Sequence, residues 1–428
     1  MLRTFLTALI FTSAWVSVGA ESMDADRYID QANKFRAKGM AAEAEKAYRS
    51  AIAEARSSND SLSLAKALNN LGALLYERSR NQEALPLYLE AVSLAEKVFG
   101  ADDNTTAVYL SNLGELYRRT GRWPEAIAAA RRALAIREKL FGPNDARLAS
   151  SLNSLACIYF ELGRLNEGEE AVARALVIRK TARQTEDWTF AVLLEAEATS
   201  LRIHGKVDAA EHNLVAALVI AERLFGPDSV QVATSLNNLA ALYEDQGKLN
   251  EATLLLQRSL VIRRARLGPN HVAVAEALNN LASAYRRAKD FGQAEVLQKE
   301  ANEIWTTVVG KRDLSYASGL NNLAEIYGMS GRTAEAEPLY REAIAIWEEI
   351  APEHLNLATC LSNLASLFGR QAKASGAEKL LLRALAIRQK ALGTEDPSVL
   401  AVEQMLAKLY RAQRRDTEAA KLEQHSFR

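Results

Sequence analysis

Leu236-Asn237-Asn238-Leu239 is followed 42 residues later by Leu278-Asn279-Asn280-Leu281 and then by Leu320-Asn321-Asn322-Leu323. Traced in both directions, the second Asn position falls at Asn70, Asn112, Ser154, Ala196, Asn238, Asn280, Asn322, Asn363 and Met405, a step of 42 throughout except for one of 41. A constant period of this size means stacked copies of one supersecondary unit. Each copy is too small to bury its own apolar face, so the chain reads as a solenoid and, before anything else, as a binding surface.

The bulk composition adds exclusions. Lys plus Arg and Asp plus Glu are equal at 53 each, so no net field draws in a nucleic acid, an anionic membrane or an acidic substrate. With 8 Pro, 21 Gly and 49% hydrophobic residues the chain is ordered and helix-rich, without a linker or low-complexity stretch. One elongated domain is therefore expected from residue 21 to 428, with copies starting near 25, 62, 104, 146, 188, 230, 272, 314, 355 and 398.

Residues 1–20 read differently. Met1-Leu2-Arg3 is a short basic start, Thr4 to Val18 an apolar run, and Val18-Gly19-Ala20 a small-residue cleavage pattern. Export to the periplasm or the exterior is expected, with cleavage after Ala20 and no membrane insertion afterwards. The run is short for a span, and no Cys near the cleavage site can take a lipid. Cys157 and Cys360, the two cysteines, stand five copies apart along a stack, far beyond the ~7 Å a disulfide bridges between Cα atoms, so two unbridged, partly buried thiols are expected.

The stretch from Asn104 to Gly142 shows how one copy is built. Asp102, Asp103 and Asn104 offer oxygens to a helix start, and Val108, Leu110, Leu113, Leu116 and Tyr117 follow with helical spacing. Gly121 permits a turn, and Trp123-Pro124-Glu125 restarts the chain with Pro where its missing amide costs nothing. Ile127, Ala130, Leu134, Ile136 and Leu140 form the second apolar stripe, closed by Gly142-Pro143. The unit is a helical hairpin, helix A then helix B.

Small residues recur at fixed offsets: Gly72, Gly114, Ala156, Ala198, Ala240 and Ala282 in one column, Ala84, Ala126, Gly168, Ala210 and Ala252 in a second, Ala91, Ala133, Ala175 and Ala217 in a third. A larger side chain there would hold packed helix axes apart. The pattern large-x-Asn-Leu-Gly/Ala-x-x-Tyr, then Gly, Glu-Ala and Ala, resembles the tetratricopeptide repeat (TPR). Leu-Asn-Asn-Leu-Ala in helix A with Leu134-Ala135-Ile136-Arg137 in helix B is similar to the 42-residue kinesin light chain type. The resemblance covers residues 25 to 428 and implies an all-α fold, a right-handed TPR superhelix of about ten hairpins. Strand-based propellers are excluded, since no period-2 segments occur.

Two copies depart from the pattern. Between Trp188 and Gly226, helix A carries Glu195 and Glu197 where neighbours carry Asn and Leu, and the preceding helix B ends without Gly-Pro. Glu197 falls at a column expected to be buried, so this helix is rotated, looser or internally paired, and is a candidate hinge. The last copy ends in a short polar helix, as a solvent-facing cap should.

The resemblance places the A helices on the concave face and with them the Asn ladder: Asn69, Asn153, Asn237, Asn279 and Asn321 in the first column, Asn70, Asn112, Asn238, Asn280, Asn322 and Asn363 in the second. An amide both donates and accepts, so it can hold the backbone of an extended peptide, as in similar repeats, or it can bond to the adjoining helix and fix register. One turn on, charged positions alternate in sign, with Glu77, Arg118 and Arg119, Glu161, Glu244 and Asp245, Arg286 and Arg287, and Arg370. These either pair between neighbouring copies or leave a basic C-terminal groove for an acidic or carboxylate segment. Trp305 and Trp347 share a helix B column and either fill the core or form an outer contact patch.

Nothing points to catalysis. His204, His212, His271, His354 and His425 form no metal-binding spacing, no Cys-x-x-Cys occurs and no Gly-rich phosphate loop follows a strand. The expectation is a non-enzymatic scaffold without cofactor or metal that binds a protein or peptide in its groove. The alternative is an assembly component that self-associates through its edges or B-helix face.

Overall fold

The computed structural model describes residues 23–426, so the expected export segment lies outside the described residues. The A helices are α1 (Met23–Ala37), α3 (Ser61–Glu77), α5 (Asn104–Arg119), α7 (Ala149–Glu161, after a 3-10 turn at Ala146–Leu148), α9 (Trp188–Ile203), α11 (Val230–Asp245), α13 (Val272–Arg287), α15 (Leu314–Met329), α17 (Leu355–Arg370) and α19 (Pro397–Ala412). The B helices are α2 (Ala41–Ser57), α4 (Asn81–Val98), α6 (Trp123–Phe141), α8 (Leu165–Thr181), α10 (Val207–Phe225), α12 (Leu249–Leu267), α14 (Phe291–Val308), α16 (Thr333–Ile350), α18 (Ala374–Leu392) and α20 (Asp416–Ser426). No strand occurs among the described residues, and no described helix is long and apolar enough to cross a membrane.

Punctuation sets these boundaries. Asp60 accepts from the amides of Leu62 and Ser63, and Asp103 from that of Thr105. His271 and His354 do the same work with Nδ1, accepting from Ala273 at 3.1 Å and Asn356 at 3.0 Å. Gly121, at φ +74, makes the turn between α5 and α6.

The chain divides into two compact units, one comprising the residues up to Glu161 and Leu165–Leu242, the other Leu162–Arg164 and Tyr243–Arg428. Within the first, α1 packs on α3, α3 on α5, α5 on α7 and α7 on α9; within the second, α13 packs on α15 and α15 on α17. Successive B helices do not meet in this way and reach the next copy through its A helix, as α4 does on α5 and α14 on α15. Shorter spacing between A helices puts them on the inner side of the curve in each unit.

The small columns permit this spacing. Ala240, Ala282 and Ala324 are fully buried, and a Cβ on Gly72 would already sit 3.0 Å from the Tyr88 ring. The tryptophan column is core: Trp305 and Trp347 are buried, which removes the outer-patch reading. Trp305 lies over Gly319, where a Cβ would stand 2.6 Å from the ring. Arg137, Arg179 and Arg263 occupy the same column and are buried too, the Arg137 guanidinium donating to Ser111 and Ser151 hydroxyls. Cys157 and Cys360 are free and buried, and burial pushes both thiols up to about 12.

Candidate functional site

Helical spacing aligns the amide columns along the inner A-helix face, and the structure gives the ladder a bonding rule. A second-column amide donates to the first-column amide of the preceding copy: Asn112 Nδ2 to Asn69 Oδ1 at 2.9 Å, Asn322 to Asn279 at 2.8 Å, Asn363 to Asn321 at 3.1 Å. Asn321 adds a bond to its neighbour Asn322 at 3.1 Å, and Asn69 a longer one to Asn70 at 3.4 Å. In these copies the ladder ties A helix to A helix, which is the register role. Asn280 is half-buried and has no such bond.

The rule fails in the middle. Asn153 needs a donor from the second column of the next copy, which is Ala196; its Oδ1 is buried and without a partner, while its Nδ2 reaches only Cys157 Sγ at 3.8 Å. Asn237 and Asn238 on α11 are buried, and none of their four amide atoms has a hydrogen-bond partner. Glu195 on α9, also buried, accepts from Ser235 Oγ at 2.6 Å through Oε1, and its Oε2 is unpartnered. Asn238 lies near enough to the Glu195 carboxyl to oppose its pKa rise, although no bond of normal geometry joins them.

Of the three readings offered for the helix that carries Glu197, internal pairing is the one found. Glu197 is half-buried and accepts from Asn213 at 2.8 Å, so it is paired internally within its own hairpin, and the helix turns Glu195 into the interior instead.

The charged positions pair between copies. Arg118 is buried and bonded to Glu115, at 2.8 Å through Nε, and to Glu161. Burial alone would lower its pKa, and the two carboxylates override that and hold it well above normal. Tyr76 donates to Glu115 at 2.8 Å, so α3, α5 and α7 share one network. Arg119 donates to Ser79 and lies 4.9 Å from the Tyr76 ring centre. Arg286 pairs with Glu325 at 2.6 Å; Arg287 donates to the Glu244 backbone carbonyl at 2.7 Å and its carboxylate at 3.2 Å. Burial lifts the Glu244 pKa against the pull of Arg287. Of the two readings offered for these charges, pairing between copies is the one found for Arg286 and Arg287, and the basic groove is largely neutralised. Arg370 is exposed, lies over Gly328 and has no ion pair among the described residues.

A further device escaped the sequence reading. A cation just before a B helix stacks on an aromatic ring of the preceding A helix and grips a Glu on the previous B helix: Arg332 lies 4.0 Å from the Tyr327 ring centre and bonds Glu295 and Glu335, and Arg415 repeats this with Tyr410, Glu378 and Glu418. The spacing Tyr-x4-Arg-x2-Glu was its signal. No cluster of His, Cys, Asp and Glu that could hold a metal occurs among the described residues.

Tetratricopeptide repeat is the family whose profile matches residues 28–97, 63–139, 105–181, 189–265, 255–307 and 315–389, most of the chain. The chain belongs to the tetratricopeptide-repeat family. Among solved structures it is similar to TPR-like repeats of kinesin light chain type from Podosopora anserina (27% identity over 45% of this chain and 91% of that one, TM-score 0.39). It is also similar to BtubC (BKLC) from P. vanneervenii (24%, 55% and 92%, TM-score 0.41). A Rap protein complexed with Competence and Sporulation Factor shares the fold over 86% of this chain and 99% of its own, at TM-score 0.60 and 15% identity. No curated protein matches it in sequence. As a TPR α-solenoid, the chain has the architecture of a protein interaction scaffold.

Proposed function

We propose that this TPR protein is a non-enzymatic scaffold that holds an extended segment of a partner protein against its A-helix face, with the segment's backbone engaging the middle of the Asn ladder. The observation that carries this reading is the set of buried amide atoms without partners on Asn153, Asn237 and Asn238. Each such atom costs about 1–3 kcal/mol; the side chains have no bonds to break in turning outward, and once turned they would meet the backbone amides and carbonyls of a bound strand, which offset that cost. The Rap protein of the same fold, complexed with Competence and Sporulation Factor, is a precedent for ligand capture by this architecture.

The test is capture of partners from the native compartment by wild type, by the Asn237→Ala/Asn238→Ala double variant and by Asn112→Ala, with helix content checked by circular dichroism. The double variant should lose the partners and Asn112→Ala should keep them. Retention by a folded double variant refutes the reading.

A second reading, self-association through the outer face, is favoured by exposed valines in one B-helix column, Val177 at 64% and Val219 at 57% in the first unit. Light scattering of Val177→Glu/Val219→Glu against wild type separates the two, because only self-association predicts a fall in mass. We also propose that the chain works outside the cytosol, from the signal-like residues 1–20. N-terminal sequencing of the protein from its native source should then begin at Glu21.

A further inference from the structure

The first ladder column reads Asn69, Ser111, Asn153, Glu195, Asn237, Asn279, Asn321, Ser362 and Gln404, so Glu195 is its one ionisable member. It is fully buried, its Oε1 holds the Ser235 hydroxyl of α11 at 2.6 Å, and its Oε2 has no partner. The charged groups on the packed elements are engaged elsewhere. On α7, Glu161 pairs with Arg118; on α8, Glu169 accepts from Ser200 and binds His204, and Arg179 binds Asp187 and Gln184. On α9 Glu197 accepts from Asn213, and on α10 Arg223 binds Glu186, while Asp208 and His212 are exposed. Val230–Leu242 of α11 contains no ionisable residue.

We infer that Glu195 is a pH-operated pin between α9 and α11: protonated, it sits in their contact as a neutral group bonded to Ser235, and loss of its proton to solvent leaves an uncompensated charge there and loosens the contact. The geometry supplies every part: a buried carboxyl, a single hydroxyl partner from the next A helix and, among the described residues, no cation acting on the carboxyl to balance the ionised form. Burial lifts its pKa from 4.5 to about 7, with Ser235 and Asn238 opposing, which sets the transition in the neutral range. The inference does not depend on the A-helix face binding a peptide.

Hydrogen exchange of the full chain, read in α9 and α11 and corrected for intrinsic rates, tests this at pH 5.5 and 8.0 for wild type and Glu195→Gln. Wild-type protection in those helices should fall at least tenfold more than that of Glu195→Gln across this range, while α13 and α15 behave alike in both proteins. Equal pH dependence in the two proteins overturns the inference. As a measurement independent of any variant's folding, isotope-edited infrared titration of the glutamate carboxyl bands should show one buried carboxylic acid persisting above pH 6. Complete ionisation of all glutamates by pH 5.5 overturns it as well.

Discussion

Replacing Gly319 by Ala should destabilise the second unit, and the same replacement at Gly369 should not. A glycine inside a helix costs roughly 0.5–1 kcal/mol relative to alanine, so on propensity alone both substitutions stabilise. Gly369 on α17 has nothing within 4 Å of an added Cβ, and there the propensity gain stands. At Gly319 the new methyl would sit 2.6 Å from Trp305 Cζ3, 2.9 Å from Cε3 and inside the contact radius of the Asn302 amide oxygen. Trp305 is buried, and a ring packed on all sides cannot swing away without moving α14 from α15. Overpacking of this kind costs about 1–3 kcal/mol, which exceeds the propensity gain and leaves a net loss of about 1–2 kcal/mol. Urea unfolding followed by far-ultraviolet circular dichroism measures both variants, and exchange protection of α14 and α15 localises the loss. In a double-mutant cycle with Trp305→Leu, the two changes should be less damaging together than their sum, because the smaller side chain makes room for the methyl. Gly319→Ala as stable as Gly369→Ala, or additive with Trp305→Leu, would refute the packing account.

Four further outcomes are expected. Asn112→Ala removes the donor to Asn69 Oδ1 and should cost about 1–3 kcal/mol in thermal unfolding, whereas Asn237→Ala removes an amide without a partner and should be neutral or stabilising. The Glu195 pKa is raised, so its contribution to stability is fully present below pH 4.5 and is lost as pH rises toward about 7; the loss is on the order of 3 kcal/mol in urea titrations and absent in Glu195→Gln. Arg118→Met removes the cation that Glu115 and Glu161 share in a half-buried site and should cost about 3 kcal/mol, with Lys recovering only part because it cannot reproduce the planar fork. Cys157 and Cys360 should resist alkylation at pH 8 in the folded protein and react on unfolding, as expected for buried thiols raised to about 12.

Helix boundaries were legible because each is written in residues with one backbone preference: Asp60 and Asp103 before A helices, Gly121 between α5 and α6, Pro124 at the start of α6. The alanine columns were legible because close helix approach admits few alternatives. Polar positions were harder, since a side chain's role depends on the helix's rotation and on its neighbour one copy away. Two residues are ~200° of helix, and that separation puts Glu195 in the interior and leaves Glu197 half-buried. The ladder's bonds run between residues 42 or 43 apart, from one column to the other, a diagonal that periodicity in one column does not display. The burial of the B-helix arginines was not legible for a related reason: a long side chain can carry its charge to a distant partner, as Arg137 does to Ser151. His271 and His354 close helix ends, a role that their spacing does not display.

The pairing of the inner arginines also constrains how a partner docks. An acidic segment would have to compete with Glu115 and Glu161 for Arg118, with Glu325 for Arg286 and with Glu244 for Arg287, exchanging one carboxylate for another at little net gain. Arg370 is exposed and has no ion pair among the described residues, and one solvent-facing charge contributes at most ~1 kcal/mol. If amide-to-backbone bonding carries recognition instead, affinity should depend weakly on ionic strength, since such bonds are short-ranged and dry. A partner segment titrated by calorimetry at 50 and 500 mM NaCl, which shortens the screening length from roughly 14 to 4 Å, should change its Kd by less than about threefold. A tenfold or greater weakening at high salt, abolished by Arg370→Ala or by reversing the charge at Glu325 or Glu244, would mean that the ion pairs open for the ligand and that the amides serve register alone.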